Sequence, residues 1–236
     1  MNNLIKITFF VFLLSCGQDI TYENNIKEDL IFLADDKLEG RKTGTEGEKL
    51  AAKYISERFE KLNLSDKGTE NYYQDFYFGN NNNPHEEIEF NKESDNSQIH
   101  ARNVVGFLDN GGSNTVVIGA HYDHLGYGEE SSLYFGDEVL IHNGADDNAS
   151  GTSLLLDLAN RLATKELKSN YLFIAFSGEE MGLLGSNYFL KNPTVSKDEI
   201  NYMINMDMVG RLNEENKLSV SGVGSAKIFK QIVNSN

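Results

Sequence analysis

The pattern of apolar and polar positions changes about 100 residues into the chain. Before that point, apolar residues at helical spacing predict helices over 26–35 and 46–62, and an aromatic run predicts a strand at 71–78. After residue 102, short apolar runs alternate with helical segments. The runs predict strands at 104–108, 115–120, 171–176, 201–205 and 218–221, and the spacing predicts helices near 148–164, 182–191 and 226–234.

This alternation of strands and helices predicts an α/β sandwich with a largely parallel sheet. The polar, acidic stretch 79–98, which contains His85, is expected to be a surface loop without chemistry. No internal repeat and no linker rich in Ser and Gly divides the chain. Residues 16–236 are therefore expected to form one domain.

The N-terminus has the pattern of an export signal. Lys6 precedes the apolar run 7–14, which is too short to span a membrane and predicts a signal peptide over residues 1–15. The sequence Leu-Leu-Ser-Cys ending at Cys16 resembles a bacterial lipobox, which predicts a lipid anchor on that Cys. The expected location is the bacterial envelope, at the outer membrane or the periplasmic face; an ordinary secretory signal and secretion are the alternative.

Composition limits the partners and the kind of metal site. The chain has 21 Lys and Arg against 36 Asp and Glu, a net charge of −15, which excludes nucleic acid as a partner. A single Cys rules out an intrachain disulfide and a Cys-based zinc site. Any metal must be held by carboxylates and by the five His residues.

Four polar clusters follow the predicted strands, where ligands bind in open α/β sheets. They are 116–124 (VVIGAHYDH), 142–151 (HNGADDNASG), 173–180 (FIAFSGEE) and 203–210 (MINMDMVG). The polar residues of each cluster could instead have a purely structural role, as a buried core His, as carboxylates that cap a helix or as an Asp that caps a turn. However, several carboxylates crowded at one sheet edge are costly unless cations neutralise them. Carboxylates with His and without Cys suit Zn²⁺ in a hydrolytic site.

These motifs, in this order, resemble the di-zinc aminopeptidase S / aminopeptidase Y family of metallopeptidases. The resemblance covers nearly the whole mature chain and includes the segment LEGRKTGTEGEKLAAKYI at 38–55. It implies a three-layer sandwich with a mixed, mainly parallel sheet flanked by helices. It also implies hydrolysis of peptides that have a free N-terminus.

The resemblance assigns a role to each motif. The implied metal ligands are His121 and Asp207 on one zinc, Glu180 on the other, and Asp146 bridging both. Glu179 is the implied general base, and Asp123 is expected to orient His121. The family also implies a cis peptide bond at Asp146–Asp147. His124 and His142 match no family ligand, and they are interpreted as loop or supporting residues, with His142 as a possible pocket residue.

The family's second zinc has a further His ligand well downstream of the motif around Asp207, and no His follows that residue here. The chain is therefore expected to be C-terminally truncated, to hold one zinc tightly rather than two, and to turn over weakly. Three alternatives stay open: a single-zinc glutaminyl cyclase, a non-catalytic binding module on the same fold, and a carboxypeptidase or dipeptidase of the same clan.

Overall fold

The computed structural model describes residues 22–79, 88–91, 97–128 and 132–234. The signal sequence, Cys16 and His85 lie outside these ranges, so export and the lipid anchor stay predictions. Within the described ranges, no helix is both long enough and apolar enough to cross a membrane.

The helices lie close to the positions that the apolar spacing predicts. They are α1 (Tyr22–Leu33), α2 (Glu46–Lys61), α3 (Gly151–Ala163), α4 (Leu184–Lys191) and α5 (Lys227–Asn234). A 3₁₀ helix (Asp36–Arg41) precedes α2, and a π-helical turn (Ala145–Ser150) precedes α3. The predicted start of α3 is therefore three residues early, because the chain forms that turn first.

In the described ranges, seven strands form one mixed sheet. They are β1 (Ser65–Asp66), β2 (Tyr73–Gly79), β3 (Phe90–Asn91), β4 (Gln98–Leu108), β5 (Thr115–His121), β6 (Asn170–Phe176) and β7 (Ile200–Asn205). The order is β3-β2-β4-β6-β5-β7, and β1 pairs with β4. Strand β5 is parallel to both β6 and β7, whereas β6 to β4, β4 to β2, β2 to β3 and β1 to β4 are antiparallel.

The central strands are buried on both faces. Every residue of β5 is buried, and alternate side chains point to opposite faces of the sheet. Val116 and Ile118 pack with residues of α2 and α3, whereas Val117 packs with Phe189 of α4 on the other face. These layers confirm the predicted α/β fold with helices on both faces of a mixed sheet.

The prediction of a strand at 218–221 is wrong. These residues form no strand, and the side chains of Leu218 and Val220 are each 55% exposed. A short apolar run becomes a strand only when a neighbouring strand supplies hydrogen bonds and packing. Strand β4, by contrast, begins at Gln98, six residues earlier than predicted, because its first half pairs with β2.

The turn before α2 forms a capping box with one change from the usual pattern. The Thr45 side chain accepts a hydrogen bond from the Glu48 backbone N–H at 3.4 Å. The Glu48 carboxyl group reaches back to the N–H of Gly44, at 2.6 Å, rather than to that of Thr45. Its other oxygen contacts the hydroxyls of Ser177 and, at 3.3 Å, Tyr122. Burial raises the pKa of Glu48 to about 8.

We expect Glu48→Gln to stabilise the chain at pH 8 and to have little effect near pH 4.5. The folded pKa lies above the ordinary value of 4.5. Unfolding therefore releases a proton between pH 4.5 and 8, and stability falls as the pH rises through this window. Gln keeps the shape of the protonated acid without this cost. The advantage of the variant grows by up to about 1.4 kcal/mol per pH unit, measured by urea unfolding at several pH values.

Glu46→Gln is the matched control, since Glu46 lies in the same first turn but is exposed and pairs with Lys49 on the helix surface. Its stability relative to the unsubstituted chain is expected to change little with pH. If the free energy of unfolding depends on pH in the same way for Glu48→Gln and the unsubstituted chain, Glu48 is ionised in the folded state and the prediction is wrong.

Candidate metal centre

His121 ends strand β5 and lies at the centre of the candidate site. Its side chain is 3% exposed, and its Nδ1 lies 3.2 Å from the backbone oxygen of Asp123. Its Nε2 is buried and has no hydrogen-bond partner within the described ranges. A buried imidazole nitrogen without a partner is costly unless something else binds it. The structure brings His121, a predicted metal ligand, next to carboxylates from other segments.

Carboxylates from three other segments face this nitrogen. The Nε2 atom lies 3.2 Å from Asp147 Oδ1, 3.5 Å from Asp207 Oδ1 and 3.9 Å from Glu179 Oε2. Asp147 precedes α3, Asp207 follows β7 and Glu179 follows β6, so the site lies where parallel strands end.

Potential ligand atoms form two groups that share Asp147. The first group is His121, Asp147 and Asp207, and the second is His124, Asp147 and Glu180. Within each group, one ligand atom per residue lies within 4.8 Å of the others. Each group could hold a cation, and the two groups have the carboxylate of Asp147 in common.

Asp147, not Asp146, occupies the shared position, which corrects the sequence interpretation. The Asp146 carboxylate instead accepts hydrogen bonds from the Gly210 N–H and from Arg211 Nε, both at 2.9 Å. These contacts turn it toward the loop after β7. The cis peptide bond is likewise one residue later than expected, at Asp147–Asn148.

Asn148 holds the segment with Asp147 against the segment with Asp207. Its side-chain amide nitrogen donates to the Met206 oxygen at 3.0 Å, and its side-chain oxygen accepts from the Gly151 N–H at 2.9 Å. The same oxygen lies 3.3 Å from the Met208 nitrogen, which donates to it. This buried amide therefore fixes the position of one candidate ligand relative to the other.

Asp123 is fully buried and connects three segments of the site. Its Oδ1 lies 3.5 Å from His121 Nδ1 and accepts from the Glu179 N–H at 3.1 Å. Its Oδ2 accepts from the Thr43 hydroxyl at 3.0 Å and from the Glu180 N–H at 3.3 Å. These contacts connect Asp123 to His121, for which the sequence predicts an orienting role, and to the turn that carries both Glu residues.

The two neighbouring Glu residues point to different partners. Glu179 faces His121, whereas Glu180 Oε1 lies 2.6 Å from His124 Nδ1. The sequence interpretation treated His124 as a loop or supporting residue and did not connect it with Glu180. The second His of the AHYDH motif was the only signal available, and it does not reveal that contact.

The carboxylates change the protonation of the groups around them. Burial alone would lower the pKa of His121, but Asp123, Asp147 and Asp207 raise it to about 12. His121 in turn lowers the pKa of Asp147. Burial, together with neighbouring carboxylates, raises the pKa of Glu179 although His121 opposes the shift.

The chemistry of these donors fits zinc. Imidazole nitrogen and carboxylate oxygen are ordinary zinc ligands in catalytic sites, which keep a position open for water or substrate. The buried Nε2 of His121 supplies a ligand without a competing hydrogen bond. Asp147 and Asp207 are partly exposed, so solvent and substrate can reach the group.

A cavity of about 500 Å³ is lined by residues that follow His124 and precede Asp147 along the chain. Tyr127, Tyr134 and His142 are among its lining residues, as are the carboxylates at positions 137 and 138. His142 lines this cavity rather than the ligand groups, and its Nε2 lies 3.2 Å from the Ser132 hydroxyl. His100, by contrast, lies in β4 and pairs with Asp75.

Comparison with known proteins supports a peptidase family. Residues 103–236 match the model of Peptidase family M28. Aminopeptidase YwaD of Bacillus subtilis (strain 168) is 42% identical over 77 residues, which cover 31% of this chain and 16% of that protein. The chain therefore spans only part of the length of this curated relative.

Two solved structures share the fold. A Zn-dependent exopeptidase from Parabacteroides distasonis superposes with a TM-score of 0.59 at 22% identity, over 80% of this chain and 61% of that one. A glutaminyl cyclase from Bacteroides thetaiotaomicron gives a TM-score of 0.59 at 19% identity, over 81% and 62%. At these identities the likeness concerns the fold alone.

The family match, unlike the fold likeness, includes every residue of the two candidate ligand groups. It covers more than half of the chain, from Asn103 in β4 to the last residue. The chain belongs to Peptidase family M28.

Proposed function

We propose that the chain carries the active site of a zinc-dependent aminopeptidase. The observation that carries this proposal is the pair of ligand groups sharing Asp147, with Glu179 beside them. Relatives described as an aminopeptidase and as a probable zinc metalloprotease support it. A non-catalytic module on the same fold would have no need of a carboxylate base directed at the metal position.

The two cation positions are expected to differ in affinity. In the first, the Nε2 of His121 lies 3.2 Å from Asp147 and 3.5 Å from Asp207, longer contacts that leave room for a cation between the three groups. In the second, His124 and Glu180 bind each other at 2.6 Å, so a cation must displace that contact. One tightly held zinc and a weaker second one follow from this difference.

When bound, zinc supplies Lewis-acid chemistry: it polarises a carbonyl group and lowers the pKa of water. Glu179 accepts a proton from the attacking water while the water oxygen bonds to the scissile carbonyl carbon. The same carboxyl group then returns the proton to the leaving amine nitrogen as the C–N bond breaks. Asp123 keeps His121 and the backbone of Glu179 in place throughout.

Partly exposed carboxylates at the rim favour a substrate with a positive charge. Asp147 and Asp207 are 36% and 45% exposed, respectively. These two carboxylates balance the charge of one Zn²⁺, but Glu179 and Glu180 beside them leave the site negative, so an α-ammonium group gains electrostatic attraction there whereas an acetylated N-terminus does not. This preference supports action at free N-termini rather than within chains.

An aminoacyl p-nitroanilide with a free amine is therefore expected to be hydrolysed, and its N-acetyl derivative to be left intact. Zinc per chain, measured after exhaustive dialysis, is expected to be close to one. Equal cleavage of the blocked and free substrates would contradict the aminopeptidase proposal. Two zinc ions retained equally tightly would contradict the expected difference between the positions.

A glutaminyl cyclase is the second candidate, since a solved cyclase shares the fold. The same assay separates the two activities when the substrate begins with Gln. Hydrolysis releases free glutamine, whereas cyclisation releases ammonia and leaves a blocked pyroglutamyl product. The two ligand groups around Asp147 favour hydrolysis, because paired metal ions are typical of aminopeptidases.

A further inference from the structure

We propose that Arg41 is a positioning residue that sets the cation affinity of the site by holding the backbones of two ligand-bearing loops in register. Arg41 lies in the turn before α2, outside the segment matched by the family model. The inference rests on the proposed function, because it requires a cation at the site. It concerns the geometry of the ligands rather than their identity.

The guanidinium group is buried, and all of its acceptors among the described residues are backbone oxygens. The Arg41 side chain is among the largest fully buried side chains in the described ranges. Its Nε donates to the Tyr122 oxygen at 2.7 Å, and its Nη1 donates to the Asn143 oxygen at 2.8 Å and to the Leu33 oxygen. Its Nη2 donates to the Gly144 oxygen at 3.1 Å.

These acceptors lie next to the candidate ligands. The Tyr122 carbonyl lies between His121 and Asp123, and the Gly144 carbonyl comes three residues before Asp147. The backbone of Arg41 makes a further contact with the loop after β5, because its carbonyl oxygen accepts a hydrogen bond from the His124 N–H at 3.2 Å. One side chain thus connects the loop after β5 to the turn before α3.

The turn that carries Arg41 is shaped for close approach to these loops. Glu39, Gly40 and Arg41 all have positive φ angles, of 47°, 68° and 49°. A Cβ atom on Gly40 would lie 2.4 Å from the His142 oxygen and 2.6 Å from the Gly126 oxygen. Two non-glycine residues in this conformation are costly and persist where surrounding contacts hold them.

Charge and positioning predict opposite effects of Arg41 on a metal ion. Burial lowers the pKa of Arg41 to about 10 while Asp123, Asp147 and Glu180 oppose the shift, so the group is cationic at neutral pH. As a charge alone, it repels a metal ion, and removing it would tighten binding. As an anchor for the loops, it aligns the ligands, and removing it weakens binding.

Lysine separates the two roles further, because it keeps the charge and loses the planar fork of donors. A single ammonium group cannot reach four carbonyl oxygens that lie in different directions. Arg41→Lys is therefore expected to weaken zinc and cobalt binding by about 10- to 100-fold, as removal of outer partners of metal ligands usually does. Arg41→Met is expected to weaken it at least as much.

The experiment is calorimetric titration of Zn²⁺ and Co²⁺ into the unsubstituted chain and each variant, together with the Co²⁺ absorption spectrum. All measurements are made well below the melting temperature. Arg58→Gln is the control, since Arg58 pairs with Asp29 between α1 and α2, far along the chain from the ligand motifs. That change is expected to lower the melting temperature and leave the Kd for cations and the spectrum unaltered.

Three results would overturn the inference: unchanged affinity in Arg41→Lys, tighter binding in Arg41→Met, or a lower melting temperature with an unchanged Kd and Co²⁺ spectrum. If Arg41→Met folds incompletely, Arg41→Lys decides the question. If the unsubstituted chain binds neither metal ion, the proposed function fails, and this inference with it.

Discussion

Asp147→Asn is expected to remove tight zinc binding at the first position, to abolish the weaker binding at the second and, with them, peptide hydrolysis. Asp147 belongs to both ligand groups, so one substitution takes a negative ligand from each. Outer partners of metal ligands contribute about 10- to 100-fold to affinity, and a shared ligand is expected to exceed the upper end of this range. Zinc per chain after dialysis and the Kd by calorimetry measure the loss.

Asp146→Asn is the matched control, because it makes the same chemical change one residue earlier. The amide oxygen of Asn can still accept from the Gly210 N–H, which donates to Asp146 now. We expect this variant to retain zinc with at most a small change in Kd. Loss of zinc in Asp146→Asn together with retention in Asp147→Asn would restore the assignment that the sequence suggested.

The sequence could not decide which of Asp146 and Asp147 is the shared ligand. Four motifs at strand ends locate the site because parallel strands bring their carboxyl ends to one edge. Two consecutive carboxylates in one motif, however, are separated by a single peptide unit. Which of them faces His121 depends on the backbone turn and on partners such as Arg211, 65 residues away in sequence.

The same distinction holds for the fold. Strands β5 and β6 could be predicted because runs of buried apolar residues fit few other structures. The run at 218–221 has a similar pattern, but no neighbouring strand pairs with it in the described ranges. The pattern of apolar residues shows which secondary structure a segment can form. Whether it pairs as a strand depends on residues elsewhere in the chain.

Supporting residues were missed for a related reason. Arg41 and Glu48 lie in a segment whose sequence is typical of a turn followed by a helix cap. This local pattern explains both residues without any contact to the site. Their contacts with Tyr122 and Ser177 span 81 and 129 residues, respectively. No periodicity or local motif reports hydrogen bonds over such separations, so only the structure connects this turn to the site.

Glu179 and Glu180 offer a test of base against ligand at neighbouring positions. Glu179 Oε2 lies 3.9 Å from His121 Nε2 and belongs to neither ligand group, whereas Glu180 belongs to one and contacts His124. A residue near the metal but outside its ligands suits proton transfer. Removing such a residue should affect the rate of the chemical step and leave metal binding intact.

Glu179→Gln is therefore expected to keep its zinc and to lose about 10²- to 10⁴-fold in kcat, the usual contribution of general acid–base catalysis. Glu180→Gln is the matched control: it should leave the first zinc bound and weaken the second, because one carboxylate of the second group becomes neutral. Zinc titration and aminoacyl anilide hydrolysis are measured on the same preparations. Loss of the tightly held zinc in Glu179→Gln, or near-normal kcat with zinc bound, would assign this carboxylate a different role, since a general base affects turnover without holding the metal.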